Sequence, residues 1–184
     1  MLSDALTEFD TALSSDQNNA EIVTRMGLIH RKQGNLDMAI ERFLASIDLD
    51  PKNPIPHQEL GKAYINKGRV DKAIAEFKDA VRLAPDDLSV NIELAKAYAS
   101  QGILDEAIEC YRKVIRIEPN NATAHFELGS LYSNQGNIDE SIAEYRSTIA
   151  LAPSNARAHL ELGRHLRDKG SSAEAVAEFL RAIE

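Results

Sequence analysis

The side chains with the most chemical capacity in this sequence recur at a fixed spacing. His57, His125 and His159 share one register of a 34-residue period, and imidazoles in register invite a metal-binding reading. A zinc site needs about three or four ligands within ~2.0–2.3 Å of the ion. No cysteine or aspartate cluster accompanies these histidines, so half-buried structural imidazoles are expected and no metal. His30 and His165 follow no pattern. A second ladder, Glu59, Glu93, Glu127 and Glu161, keeps the 34-residue spacing, with Arg25 in the same register one period earlier. Cys110 is the single cysteine, which excludes an internal disulfide framework and suits a reducing compartment. With no neighbouring base or cationic cluster, it is expected to dimerise by oxidation sooner than to do chemistry. No nucleophile–base–orienter set and no glycine-rich phosphate loop is present. The chain is therefore expected to be no enzyme and to carry no cofactor.

The elements that position these residues follow from the period itself. Of 184 residues, all nine glycines and four of the six prolines fall at three places in the repeat. Gly34, Gly68, Gly102, Gly136 and Gly170 form one comb. Gly27, Gly61, Gly129 and Gly163, with Ala95 in the gap, form a second, and Pro51, Pro85, Pro119 and Pro153 a third. A period of this length marks a solenoid. With slot 1 at Ala20, Pro54, Leu88, Ala122 and Ala156, slots 7, 8 and 11 lie on one helical face, as in Leu60, Gly61 and Tyr64. Slots 20, 21, 24 and 28 repeat the pattern, as in Ala73, Ile74, Phe77 and Val81. Each unit therefore holds two amphipathic helices, A and B. The slot-15 glycine ends helix A in a left-handed turn, and the slot-32 proline ends helix B. Glycine at slot 8, inside helix A, costs about 0.5–1 kcal/mol against alanine, which implies close approach of a partner helix. Pro54 and Pro56 are expected to shorten the first turn of their helix.

On these marks the chain resembles the tetratricopeptide repeat (TPR) family. The stretch Leu60-Gly61-Lys62-Ala63-Tyr64, with Ala73, Phe77, Ala80 and Pro85, carries nearly the whole family pattern. Val114 and Thr148 at slot 27 and the slot-4 histidines depart from it. The resemblance implies an all-α fold, a right-handed α-solenoid of helix-turn-helix repeats. It spans one domain, 1–184: a lone B helix over 1–19, full repeats 20–53, 54–87, 88–121 and 122–155, and a last, uncapped pair over 156–184. Residues Leu2, Leu6, Phe9 and Leu13 would lack an A partner, and Phe179 and Ile183 a follower. Such ends fit either a piece of a longer array or pairing with other chains.

The resemblance also places A helices on an inner concave wall. Slots 1–14 of the five units carry ten Lys/Arg against six Asp/Glu, while the rest of the chain carries eleven against 23. The net charge of −8 thus divides into a basic inner wall and an acidic outer one. With slots 7, 8 and 11 buried, slots 2, 5, 6, 9 and 13 point into the groove at about 100° per residue. Leu28, Ile92, Phe126 and Leu160 are expected there as solvent-facing apolar side chains, with Gln58, Ser130, Lys62, Lys96, Arg157 and Arg164 around them. The glutamates Glu59, Glu93, Glu127 and Glu161 have two readings. Three of them form i,i+3 pairs with Lys62, Lys96 and Arg164. Alternatively the ladder accepts N–H bonds from an extended peptide, as asparagines do in TPR-bearing glycosyltransferases. The family's two-carboxylate clamp for chaperone C-termini is disfavoured, because slot 5 is never basic.

The expected function is a protein–protein interaction scaffold whose groove, ~40 Å long at roughly 10 Å per A helix, holds an extended partner segment of about 12 residues. Two alternatives stay open: the substrate-recognition region of a larger enzyme such as a glycosyltransferase, and end-to-end self-association. A sequence pI near 5.2 and no tryptophan argue against nucleic acid. No apolar run reaches the roughly 18 residues that span a bilayer and no secretory signal is visible, so a cytoplasmic location without membrane contact is expected.

Overall fold

The computed structural model describes residues Glu8, Phe9, Thr11 and 18–183. Most of the expected lone B helix over 1–19 falls outside the described residues; of those described, Glu8, Phe9 and Thr11 are helical and Phe9 is half-buried. From residue 20 onward the described residues form ten α-helices and no strand. They are α1 (Ala20–Lys32), α2 (Leu36–Leu49), α3 (Pro54–Asn66), α4 (Val70–Leu83), α5 (Leu88–Ser100), α6 (Leu104–Ile117), α7 (Ala122–Gln135), α8 (Ile138–Leu151), α9 (Ala156–Asp168) and α10 (Ser172–Arg181). Every A helix begins at slot 1 and every B helix at slot 17, so the period read from glycine and proline is the period of the helices. The chain divides into two compact units, 1–97 and 98–184, with the boundary inside α5.

Local chemistry sets each helix end. Gly136 sits at φ 80°, in the left-handed region, and the Asn137 N–H donates to the Tyr132 carbonyl at 2.9 Å. This bond caps α7 from beyond its end, which glycine permits without a Cβ clash. The B helices α2, α4, α6 and α8 stop two residues before Pro51, Pro85, Pro119 and Pro153. The starts are held by a signal absent from the glycine and proline combs: slot 34 is Asn19, Asn53, Asp87, Asn121 and Asn155. Asn121 Oδ1 accepts from the Ala124 N–H at 2.9 Å and Asn155 Oδ1 from Ala158 at 3.1 Å, as helix N-caps do. Asn53 accepts from Ile55 instead, at 3.0 Å, because Pro56 at the usual donor position has no N–H. Contrary to expectation, the two prolines do not shorten the helix. Helix α3 starts at Pro54 and has the same 13 residues as α1 and α9, since proline's fixed φ suits the first turn.

Within each unit the core is built from the same contact repeated. Phe43 and Phe77 are fully buried, and each ring lies on the glycine of its own A helix. A Cβ placed on Gly61 would stand 2.5 Å from Phe77 Cε1, and one on Gly129 would stand 3.0 Å from the Tyr145 ring. The close approach inferred from the slot-8 glycines is therefore an aromatic ring seated on bare backbone. The polar side chains at slot 27 are satisfied locally. Thr148 is buried and donates to the Glu144 carbonyl at 3.0 Å, while Ser46 and Thr24 share a 2.7 Å hydrogen bond. Turns of successive repeats are also tied: Lys67 pairs with Asp37, Lys169 with Asp139, and Gln135 donates to Asp105 at 2.6 Å. The Lys67 ammonium, by hydrogen bond and charge, holds the Asp37 carboxyl below its usual value.

Gly61→Leu should destabilise the protein by about 1–3 kcal/mol or more, the range for overpacking a filled core, read as a lower midpoint in urea. Gly61→Ala should cost more than Gly129→Ala, because the Phe77 ring stands closer than the Tyr145 ring.

Candidate functional site

The candidate groove residues are distributed over both units, and each unit is best described by itself. In the first, α1, α3 and the start of α5 present Leu28, Gln58, Glu59, Lys62, Ile92, Glu93 and Lys96. Leu28 and Ile92 are half-buried. Leu28 lines a pocket of about 230 Å³ together with Thr24, Arg25 and Ile55. Ile55 is an exposed apolar side chain at slot 2 that the slot-5 pattern did not pick out. Gln58 Nε2 donates to Ser89 Oγ at 2.8 Å. Glu59 is buried between two cations: Lys62 Nζ lies 2.8 Å from one oxygen and Arg31, from α1, lies 2.7 Å from the other. Two cations on one carboxylate leave that cluster with an excess positive charge. Lys96 pairs more loosely with Glu93, at 3.4 Å.

In the second unit, α7 and α9 carry Phe126, Glu127, Ser130, Arg157, Leu160, Glu161 and Arg164. The solvent-facing position expected for Phe126 is corrected: the side chain is only 7% exposed. Its ring meets Tyr145 at 5.5 Å between centroids, and the Arg157 guanidinium covers it at 4.8 Å. Helical spacing gave the direction of the side chain on α7, but not that α9 would lay a cation over it. Leu160 is exposed, and with Arg157, Phe179 and Ile183 it lines an apolar pocket of about 410 Å³. Glu161 pairs with Arg164 at 2.9 Å. Glu127 has Ser130 at the position of the cation, and no ion pair to it forms among the described residues. Burial, followed by the charge of Glu161, pushes the Tyr145 phenol above its usual value. His165, which followed no sequence pattern, is buried and stacks on Tyr145 at 5.9 Å.

The slot-4 histidines converge with carboxylates of the B helices and not with one another. His57 Nδ1 lies 2.8 Å from Glu76, His125 Nδ1 2.6 Å from Glu144, and His159 Nδ1 2.6 Å from Glu178. The other ring nitrogen of His125 and His159 donates to the carbonyls of Pro119 and Pro153, at 3.0 and 2.9 Å. Where the histidine is absent, the glutamate is absent too. In the first repeat slot 4 is Val23 and slot 23 is Arg42; in the third, slot 4 is Asn91 and slot 23 is Cys110. Asn91 keeps half of the arrangement, since its Nδ2 donates to the Pro85 carbonyl at 2.9 Å. This pairing of slots 4 and 23 was present in the sequence, but the two slots belong to different helices and only their packing makes them neighbours. At His57 a further carboxylate, Asp79, joins the pair. Cys110, half-buried, is pushed up to about 11, chiefly by burial.

Two measurements check these assignments. Alkylation of Cys110 near pH 8 should run about a hundredfold slower than that of a free cysteine and rise with pH toward 11, since the thiolate is the nucleophile. His125→Ala should cost about 1.5–3 kcal/mol, the range for hydrogen bonds to charged groups, and His125→Asn distinctly less, because Asn91 shows the carbonyl bond that asparagine keeps.

The repeats match known proteins in sequence and in fold. The pattern of the TPR repeat matches residues 27–68, 61–102 and 95–136, and that of the tetratricopeptide repeat matches residues 126–184. No curated protein sequence matches significantly. Among solved structures, a crystal structure of MamA superimposes with a TM-score of 0.81 at 29% identity, covering 86% of this chain and 92% of that one. MamA residues 41-end from Desulfovibrio magneticus RS-1 superimposes with a TM-score of 0.81 at 18% identity, covering 89% and 93%. YrrB, described as a TPR protein with an unusual peptide-binding site, gives 0.84 at 18% identity over 95% and 90%. With family matches running from residue 27 to 184 and ten helices in the same register, the chain belongs to the tetratricopeptide repeat family and has its all-α solenoid fold.

Proposed function

We propose that this protein-interaction scaffold binds an extended segment of a partner protein along its A helices. The observation that carries the reading is the combination of incompletely buried apolar side chains and cations on the A helices of each unit. In the first unit Leu28 and Ile92 stand with Lys62, Lys96 and the Arg31–Glu59 pair; in the second, Leu160 stands with Arg157 and Arg164. Aliphatic anchors on the ligand suit the first kind of group and acidic side chains the second. Glu59, Glu93 and Glu161 are engaged by cations three residues on. That leaves Glu127 as the carboxylate best able to accept a ligand N–H. YrrB, similar in fold, is described as having a peptide-binding site; the segment bound here is the partner's own chemistry to reveal. No described helix is long and apolar enough to cross a membrane.

A second reading, self-association, is favoured by one observation. Ile142 of α8, covered by α9, is 7% exposed, while Val176 at the same slot of α10 is 56% exposed and Ile183 is 82% exposed. Among the described residues, Val176, Leu180 and Ile183 thus form an exposed apolar face on α10 and the turn after it.

For the first reading, capture of partners should weaken about tenfold or more in a Lys62→Ala/Lys96→Ala/Leu160→Ala variant and lose its steep salt dependence; unchanged capture at all ionic strengths refutes it. For the second, light scattering across a concentration series should show association that Val176→Lys removes; a monomer at every concentration refutes it.

A further inference from the structure

The three histidine–glutamate pairs are not equivalent, and the difference is a third ligand. Slot 26 is Asp79 in the second repeat, but Ser147 and Arg181 in the fourth and fifth. Asp79 stands one turn beyond Glu76 on α4, and three residues apart is the spacing that puts two side chains on one helix face. A ring nitrogen of His57 and one carboxylate oxygen each of Glu76 and Asp79 all lie within 4.8 Å of one another. In the fifth repeat the slot-26 residue does the opposite: Arg181 lies 3.0 Å from Glu178 and neutralises it. The His57 ring is also held differently. The rings of His125 and His159 are fixed from both nitrogens, by a carboxylate and a proline carbonyl. His57 makes the carboxylate bond, and no corresponding bond to Pro51 forms among the described residues.

We propose that His57, Glu76 and Asp79 form a binding site for a divalent transition-metal ion of the Zn2+ class. One imidazole and two carboxylates supply three ligands, and water completes a four-coordinate shell. The ion replaces the proton between His57 and Glu76, because only a deprotonated ring nitrogen ligates. A tetrahedral shell at ~2.0–2.2 Å places its ligand atoms about 3.4 Å apart, so closure from 4.8 Å needs one side chain to rotate inward. Asp79 is the one free to do so: it is half exposed, and its restraint is a surface ion pair with Arg82 at 3.0 Å, a kind of pair that holds weakly. The buried ring of His57 and the half-covered Glu76 form the fixed wall of the site. The bound ion ties α3 to α4 within the second repeat. The histidines and their sequence neighbours do not reveal this set, because two of its three members arrive from the next helix.

The repeats themselves supply variants that keep the fold. Asp79→Ser installs the residue of the fourth repeat, and His57→Asn that of the third. Titration of the full chain with Zn2+ in a calorimeter, paired with thermal melts, should give one ion per chain and a raised melting temperature. Both effects should disappear in Asp79→Ser and in His57→Asn and persist in His125→Asn. The proposal is overturned if the unaltered chain takes up no Zn2+, if uptake survives Asp79→Ser, or if His125→Asn removes it. Asp79→Ser alters a surface residue, so the test stands even if His57→Asn unfolds.

Discussion

The seating of an aromatic ring on a glycine is the constraint on which the rest of this structure depends. At Gly61 the A helix presents bare backbone to the Phe77 ring, at a distance that leaves no room even for a methyl group. Helix packing distances are set by the side chains at the contact, so a glycine at this point fixes how near α3 and α4 approach. That spacing places slot 4 of the A helix opposite slot 23 of the B helix and brings His57 to Glu76. Ala73 and Ala80 are fully buried in the same seam. The 34-residue period is thus less a count than the repeat of one contact geometry.

A repeat that reuses one geometry can vary its chemistry in pairs. Histidine faces glutamate three times, and in the two repeats where slot 4 is not histidine, slot 23 is not glutamate. Unpaired burial of an imidazole or a carboxylate at this seam would be costly, and the two slots change together. The A-helix surface shows the same economy. Its glutamates are largely answered by cations three residues later, and Arg31 reaches Glu59 from the preceding repeat. Surface pairs of this sort contribute little stability. Their consequence is a surface on which lysine and arginine side chains stand beside incompletely buried apolar groups.

Much of the fold was legible because its signals are local. A glycine that must turn left-handed, a proline that cannot donate and an apolar stripe at helical spacing each act within one helix or turn. The slot-34 asparagines belonged to the same class, although the glycine and proline combs alone did not reveal them. The candidate site was less legible. Leu28, Ile92 and Leu160 keep part of their surface exposed, but Phe126 lies beneath Arg157, a residue of the following repeat. Ile55 joins the Leu28 pocket from the next A helix in the same way.

The sequence by itself therefore determined the helix pairs from residue 20 onward, the order of A and B, and which side of each helix is apolar. These follow from backbone hydrogen bonding and side-chain period, which need no knowledge of neighbours. Only the tertiary structure decided what stands opposite each side chain: glutamate for His57 and His125, a guanidinium for Phe126, an aspartate as third member of the His57 cluster. Helical periodicity states the direction in which a residue points along its own axis. What it meets there depends on the distance and stagger of another helix, and in this protein those are set where a ring rests on a glycine.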